Sequence, residues 1–365
     1  MRLELQVSNT MTREGENDIV RLPPHQKMRL GVKEGRTILL SASDGSKLRV
    51  RVKDVYLEDL VKDKTLAYVS RGIFNAISGV IISPGPMSLG CDPEFILVDH
   101  HKRVLPANLW FPHEGVIGSD GPLAELRPAP ALHESDVVDN LKGLIHSLPG
   151  ILSSKFGSAR LIQPEGHSCW ENYALGFHIH LGAPREIITF AAPETQEFIR
   201  SFITAMDYFV GIPAMLLEDS STRRLGSGSY GKPGDYRITS KTIEYRTPGG
   251  FHLRHPEYAA GILGLALCVG KELMEKTAQL SSNWRNLNKF SDFQHVRGRF
   301  DLPAKSDIRW AIQEPTKRVA ISHIPNLIKQ VKTLKYYDQH ANSIRKYFRL
   351  VGEHKQFTPN LLNNW

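Results

Sequence analysis

The sequence predicts an α+β fold, a sheet flanked by helices and preceded by a small β-rich domain. Three observations lead to it. Short strand patterns around turn residues fill residues 1–86, strands alternate with longer helical patterns from Gly90 onward, and residues 315–365 carry helical periodicity alone. A chain of 365 residues, 41% hydrophobic and 23% charged, can bury a full core and divide into two or three domains. The expected divisions are 1–86 for a small barrel-like β domain, 87–290 for the core that carries the chemistry, and 291–365 for a basic helical extension packed on that core.

In the first division, Arg29-Leu30-Gly31 and a turn at Gly35 precede the apolar run Ile38-Leu39-Leu40. The Asp44-Gly45 turn then leads into the alternating Leu48-Arg49-Val50-Arg51-Val52, which reads as a hairpin. A helix-like piece, Ser70 to Ser78, and the linker Ser83-Pro84-Gly85-Pro86 follow. Small barrels commonly act as docking modules, so a protein partner is expected to meet residues 1–86.

In the core, Phe95-Ile96-Leu97-Val98 reads as a strand. Ser135 is the expected N-cap of a helix burying Val137, Val138, Leu141, Leu144, Ile145 and Leu148. A second strand is expected over Phe177 to Leu181. Phe198, Ile199, Phe202, Ile203, Met206 and Val210 recur at steps of three and four, as the buried face of a helix does, and Pro256 opens another. In the C-terminal division, Ile324, Leu327, Ile328, Val331 and Leu334 share one helical face with lysines opposite.

Charge and cysteine usage exclude several classes. The net charge of +8 is concentrated at one end: nine Lys or Arg residues stand against Asp338 and Glu353 from Pro315 to Trp365, a local +7. The body is electrically ordinary, so nucleic acid is not the expected partner. Cys91, Cys169 and Cys268 lack paired spacing, which argues against a disulfide framework or a Cys-type zinc site and fits a reducing compartment. Arg2, Glu4, Arg13, Glu14, Glu16 and Asp18 leave no hydrophobic region for a signal peptide, so the expected location is the cytoplasm. The most apolar stretch, Tyr258 to Gly270, is shorter than the ~20 residues that cross a bilayer and reads as a buried helix; no membrane association is expected.

Five short motifs carry chemistry. Side chains alternate along a strand, so Asp92 and Glu94 point the same way, a pairing that suits a hard divalent cation or, alternatively, a solvated strand edge. Glu125 and Arg127 also share a face, as a third carboxylate with a phosphate contact or as a surface ion pair worth ~0–1 kcal/mol. His178 and His180 place two imidazoles opposite the apolar Phe177, Ile179 and Leu181. Burying unpartnered polar groups costs ~1–3 kcal/mol, so the pair points to metal binding, phosphate contact or proton transfer, or else to satisfied core histidines. Arg223, Arg224, Arg237 and Arg246, with Lys232 and Lys241, share a segment with Gly226, Gly228, Gly231, Gly234, Gly249 and Gly250. Glycine admits close backbone approach and guanidinium matches phosphate, so this reads as a nucleotide-phosphate loop, the alternative being an ordinary basic loop. It has no Gly-Lys-Ser/Thr ending and is not a Walker loop. Glu244 and Arg246 close the set. Together these strands would build a curved sheet with a metal-lined floor.

The order Asp92-x-Glu94, Glu125-x-Arg127, His178-x-His180-x-Gly182, Arg223 to Arg237 and Glu244-x-Arg246 resembles the glutamine synthetase and glutamate-cysteine ligase superfamily. It is most similar to the phage phiEco32-like COOH-NH2 ligases (amidoligases), over roughly residues 88 to 285. The matching stretches are Gly90-Cys91-Asp92-Pro93-Glu94-Phe95, Ala124-Glu125-Leu126-Arg127-Pro128, Gly176-Phe177-His178-Ile179-His180-Leu181-Gly182, and Tyr230-Gly231-Lys232-Pro233-Gly234-Asp235-Tyr236-Arg237 running on to Glu244-Tyr245-Arg246-Thr247-Pro248.

The resemblance implies a glutamine-synthetase-like curved antiparallel sheet holding ATP and two or three Mg²⁺ or Mn²⁺ ions. By similarity the metal ligands would be Asp92, Glu94, Glu125, His178, His180 and Glu244. Arg127, His180, Arg223, Arg224, Lys232 and Arg237 would hold the nucleotide, and Glu94, Glu125, Arg237 and Arg246 would act on the reacting groups; Asp120 is a further carry-over. The implied enzyme is a phage-encoded ATP-dependent carbon-nitrogen ligase working in the host cytoplasm through an acyl-phosphate. Its carboxylate and amine substrates would be small molecules, peptides or proteins, and a phage or host protein could be its partner. Two rivals are a metal-dependent hydrolase, which needs no nucleotide, and a non-enzymatic virion or nucleic-acid-binding protein using the basic C-terminal segment.

Overall fold

A computed structural model of the chain describes residues 87–157, 162–182, 193–225, 230–239, 241–280 and 300–365. It also describes the strands at 7–9, 19–22, 37–41, 47–54 and 67–69, and residues 34 and 297. The chain forms two compact units, Met1–Ser83 with Ala278–Arg285, and Pro84–Thr277 with Asn286–Trp365.

The first unit contains β1 (Val7–Asn9), β2 (Ile19–Leu22), β3 (Thr37–Ser41), β4 (Lys47–Asp54) and β5 (Ala67–Val69), paired in the order β1-β5-β2-β4-β3. β3 and β4 are antiparallel, with Ile38 opposite Val50 and Leu40 opposite Leu48, the register that alternation in both segments favours. Among the described residues no pairing joins β1 to β3 to close a barrel. The expected Asp44-Gly45 turn, the helix over Ser70 to Ser78 and the linker at 83–86 lie outside the described residues.

The second unit is built on β6 (Leu89–Val98). The remaining strands are β7 (Val104–Leu105), β8 (Ile117–Asp120), β9 (Leu123–Leu126), β10 (Gln163–Glu165), β11 (Cys169–Trp170), β12 (Tyr173–Ala174), β13 (Phe177–Gly182), β14 (Tyr236–Ile238) and β15 (Thr242–Tyr245). The main sheet runs β14-β15-β13-β6-β9-β8 with every pairing antiparallel, and β7 and β10 add to the far end of β6. Strand β6 therefore changes partners along its length: Leu89 to Pro93 pair with β13, Glu94 and Phe95 with β9, and Ile96 to Val98 with β10. Alternation sends Leu89, Cys91, Phe95 and Leu97 into the core and leaves Asp92 and Glu94 on the other face.

Helices fill the core face. α1 (Glu134–Phe156) buries Val137, Leu141, Ile145, Leu148 and Leu152 and ends at left-handed Gly157, φ 74°. Its cap is His133, whose ring accepts from the Ser135 backbone N–H at 3.3 Å; Ser135, the expected cap, lies one residue inside.

The run expected over Phe198 to Val210 does not stay regular. α2 (Pro193–Met206) widens into a π turn at Asp207–Gly211 before α3 (Ile212–Leu217). Pro213 stands at the start of α3 and has no N–H to donate back, and the wide turn accommodates it. Phe198–Leu217 is long and apolar enough to cross a membrane by composition, yet 94% of that window is buried inside the protein, so it serves as core.

The π turn carries Asp207, whose buried carboxyl accepts from Tyr245 Oη at 2.9 Å and Thr247 Oγ1 at 3.2 Å. Burial raises its pKa to about 7, and those hydrogen bonds only partly oppose it. A folded pKa above the unfolded one means stability that is full below about pH 4 and lost as pH rises to about 7. Asp207→Asn is expected to flatten this dependence, with the chemical-denaturation midpoint gaining most at pH 8 and at most about 4 kcal/mol.

After the short α4 (Thr222–Leu225), α5 (Pro256–Leu280) crosses the core, followed by α6 (Lys305–Gln313), α7 (Arg318–Val331) and α8 (Tyr337–Gly352). The last three pack against α3, and α6 and α7 also meet the π turn, so residues 300–365 belong to the same compact unit as the sheet. Gly261 of α5 sets the closest approach: an added Cβ would lie 2.2 Å from Tyr347 Cβ of α8. Gly261→Ala is expected to destabilise by roughly 1–3 kcal/mol in thermal melts, because that overlap exceeds the ~1 kcal/mol of helix propensity gained.

Candidate active site

Strand register assembles the site. On the face away from the helices, His178 of β13 sits opposite Asp92 of β6, Glu94 of β6 opposite Glu125 of β9, and His180 of β13 opposite Glu244 of β15, which in turn faces Arg237 of β14. Five strands thus place three kinds of charged side chain in one cup. Burial is deep for Glu94, Glu125, His178 and Glu244, and partial for Asp92 and His180.

Distances confirm the convergence. Asp92 Oδ1 lies 3.0 Å from His180 Nε2 and 3.3 Å from His178 Nδ1, and His178 Nδ1 lies 3.7 Å from Glu244 Oε1. His180 Nδ1 contacts Thr242 Oγ1 at 3.1 Å, which orients its ring. Glu94 Oε2 accepts from the Gly176 N–H at 2.5 Å. Gly176 is required there, since a Cβ would meet His178 Nε2 at 2.2 Å.

The electrostatics follow from crowding. Burial and the charges of Asp92 and Glu94 push Glu125 up to about 8 against the pull of Arg127. Burial also raises Glu94, opposed by His178 and Arg223. For Asp92, burial acts upward but the two imidazoles outweigh it and hold the carboxyl well below its usual range; for His180, burial acts downward and Asp92 outweighs it.

Tyr230, which opens one of the matching stretches but was given no role, completes the cup. Its Oη lies 2.6 Å from His178 Nε2 and donates to Glu94 Oε1 at 3.2 Å. The guanidinium carbons of Arg246 and Arg223 stand 4.7 and 5.1 Å from its ring centroid. Its place at the head of that stretch, beside the Gly-rich loop, was the available signal. A second polar cluster, also unmarked, joins Glu165, His167, Asp219 and Arg254: His167 Nδ1 is 3.0 Å from Asp219 Oδ2, and its Nε2 is 3.2 Å from Glu165 Oε2.

The expected arginines divide. Arg246 Nε lies 3.3 Å from Glu244 Oε1, and Arg237 Nε donates to Glu244 Oε2 at 2.5 Å with its side chain 60% exposed. Arg223 is buried and donates to Thr247 O at 2.6 Å and Arg246 O at 3.2 Å, and burial lowers it to about 10. Arg127 pairs with Glu125 and donates to Gly115 O at 3.0 Å. Arg224 departs from the expected nucleotide contact: it is buried, and its Nη2 donates to Glu218 Oε1 at 2.6 Å and Thr247 O at 3.1 Å. Lys232 is exposed in the turn between Gly231 and Gly234, both at positive φ, and Asp120 is exposed at the end of β8.

The donor set fits a divalent cation. Asp92, His180 and Glu244 offer ligand atoms within 4.8 Å of one another. Asp92 Oδ1 and Glu244 Oε1 are buried, with His178, His180 and Arg246 in ion-pair contact and no well-aligned hydrogen bond among the described residues, which leaves lone pairs free for an ion. The carboxylate donors suit Mg²⁺ or Mn²⁺, the imidazoles suit a softer transition ion, and the arginines suit phosphate.

No curated protein matches the sequence. Among solved structures, a bifunctional glutathione synthetase from Pasteurella multocida overlays with a TM-score of 0.34 at 10% identity, covering 75% of this chain and 54% of its own. The chain thus spans about half the length of that enzyme. A structure titled GmaS/ADP complex overlays with a TM-score of 0.35 at 11% identity, covering 84% of this chain and 93% of its own. Both scores are too low to assign a shared fold, so relationship rests on the sequence profile. The profile of the phage phiEco32-like COOH.NH2 ligase-type 2 family matches residues 89–361, which takes in every strand of the cup and the C-terminal helices. The chain belongs to the phage phiEco32-like COOH.NH2 ligase-type 2 family.

Proposed function

We propose that this protein is an ATP-dependent carboxylate–amine ligase that forms an amide or isopeptide bond. The observation that carries the reading is the convergence of buried or half-buried carboxylates and imidazoles, Asp92, His180 and Glu244 with ligand atoms within 4.8 Å of one another, flanked by Arg237 and Arg246. Family membership supports it.

The residues act through charge. Asp92, Glu94, Glu125, His178, His180 and Glu244 would hold the divalent cations, which when bound offset the anionic repulsion between a carboxylate and the γ-phosphate of ATP. A substrate carboxylate oxygen attacks the γ-phosphorus, the bond to the β,γ-bridging oxygen breaks, and ADP departs with that electron pair. Arg237, exposed at the rim, can turn from Glu244 to the phosphoryl oxygens, and Arg246, just past the end of β15, would supply a second guanidinium to them. A neutral amine then attacks the acyl carbon and expels phosphate, while a carboxylate at the rim accepts the amine proton. Tyr230 positions Glu94 and His178 through its hydroxyl. Water must stay out while the acyl-phosphate persists. The substrates are a small-molecule or peptide carboxylate and an amine, and a phage-encoded enzyme would meet them in the host cytoplasm.

Purified protein with Mg²⁺ and ATP is expected to release ADP when carboxylate and amine candidates are supplied together, and calorimetry should show Mg²⁺-dependent nucleotide binding. A hydrolase would turn over without nucleotide. If calorimetry detects no ATP binding and nucleotide never raises the melting temperature, the ligase reading is overturned.

A further inference from the structure

The basic C-terminal segment takes no part in the proposed chemistry, yet α7 and α8 hold a cavity of about 270 Å³ between them. Its floor is apolar: Val331 and Ile344 are buried, and Ile328 and Phe348 are half-buried. Its rim is cationic, formed by Lys332, Arg345 and Arg349, all exposed. The helical steps explain this. Ile328, Val331 and Lys332 lie on adjacent rows of α7, as Ile344, Arg345, Phe348 and Arg349 do on α8, so each helix turns an apolar row inward and a cation outward beside it.

We propose that this groove docks an acidic peptide segment of a partner or substrate protein, anchored by one apolar side chain in the cavity with its carboxylates on the rim. Size and charge select this occupant. The volume falls below the roughly 300–1,000 Å³ of sites for drug-sized ligands and suits a side chain or two. Among the described residues Lys332 and Arg345 have no acidic partner within ion-pair distance, whereas Arg349 lies 3.9 Å from Glu257 and 4.0 Å from Glu353. The surrounding segment carries a local +7, which steers an acidic partner in. Ile328, Val331, Ile344 and Phe348 with Tyr337 give a mixed aliphatic and aromatic lining that takes a leucine-like anchor, and an amphipathic acidic helix laid along the groove presents such anchors at three- and four-residue steps.

The surface lies on helices that pack against α3 and contributes no residue to the cup, so the proposal does not depend on the reaction assigned there. Fluorescence anisotropy with the full-length protein tests it, using a labelled synthetic peptide of Glu and Leu at helical spacing. Saturable binding is expected, weakened about tenfold in a Lys332→Glu/Arg345→Glu double variant and about tenfold when Ser replaces Leu in the peptide. Both positions are exposed, so the double variant should keep the wild-type melting temperature and the wild-type ADP release from small substrates. Absence of saturable binding, equal affinity for the Ser peptide, undiminished binding by the double variant, or tighter binding of oligothymidylate than of the peptide would each overturn the proposal.

Discussion

Glu94→Gln is expected to lower ADP release by about 10²–10³-fold while leaving the melting temperature unchanged or higher. The two halves of that result have one cause. Glu94 is 1% exposed, and burial acts against its charge. Its oxygens are engaged by the Gly176 N–H and the Tyr230 hydroxyl, and glutamine fills the same volume and can still accept a hydrogen bond. What glutamine cannot supply is the negative charge beside His178 and Glu125, which is what a divalent cation requires. A coupled ADP assay read alongside thermal melts checks both halves. Full turnover in this variant would reassign Glu94 to structure.

Glu218→Ala carries the largest expected loss of stability, about 3–5 kcal/mol, or roughly 10 °C in melting temperature for a domain of this size. Glu218 Oε1 accepts from Arg224 at 2.6 Å and from the Gly249 N–H at 2.9 Å, with both charged side chains essentially out of water. Removing the carboxylate leaves a buried guanidinium without its counter-charge. Glu218→Leu combined with Arg224→Met should recover most of the loss, since an apolar pair removes both desolvation penalties together. Urea denaturation of the single and paired variants measures this, and a single variant within 1 kcal/mol of wild type would contradict the reading.

The fate of Arg223 and Arg224 shows where sequence reasoning stops. They are neighbours in the chain and equally basic, and the Gly-rich context recommended both for phosphate. Successive residues of a helix point about 100° apart, so α4 can turn only one of them toward the Tyr230 ring. The other is taken by Glu218, whose partner no local pattern names. Tyr230 stood in a matching stretch without a role for the same reason: its contacts with Glu94 and His178 span 136 and 52 positions of sequence. The Ser135 cap and the regular helix through Val210 failed more locally, where a histidine ring and Pro213 imposed their own backbone requirements.

The sequence by itself determined which side chains share a face of their own strand. The two-residue repeat of a strand puts Asp92 with Glu94, His178 with His180, and Glu244 with Arg246 wherever those strands lie. It also determined the helical faces that bury Val137 to Leu148 and Phe198 to Met206. Only the tertiary structure decided that these faces meet, because the antiparallel register of β15, β13, β6 and β9 depends on burying Ile243, Ile179, Cys91 and Ala124 against the helices behind them. A register slipped by one residue would turn the acids inward and the aliphatic side chains out. The charged cup is therefore placed by the apolar core on its opposite face.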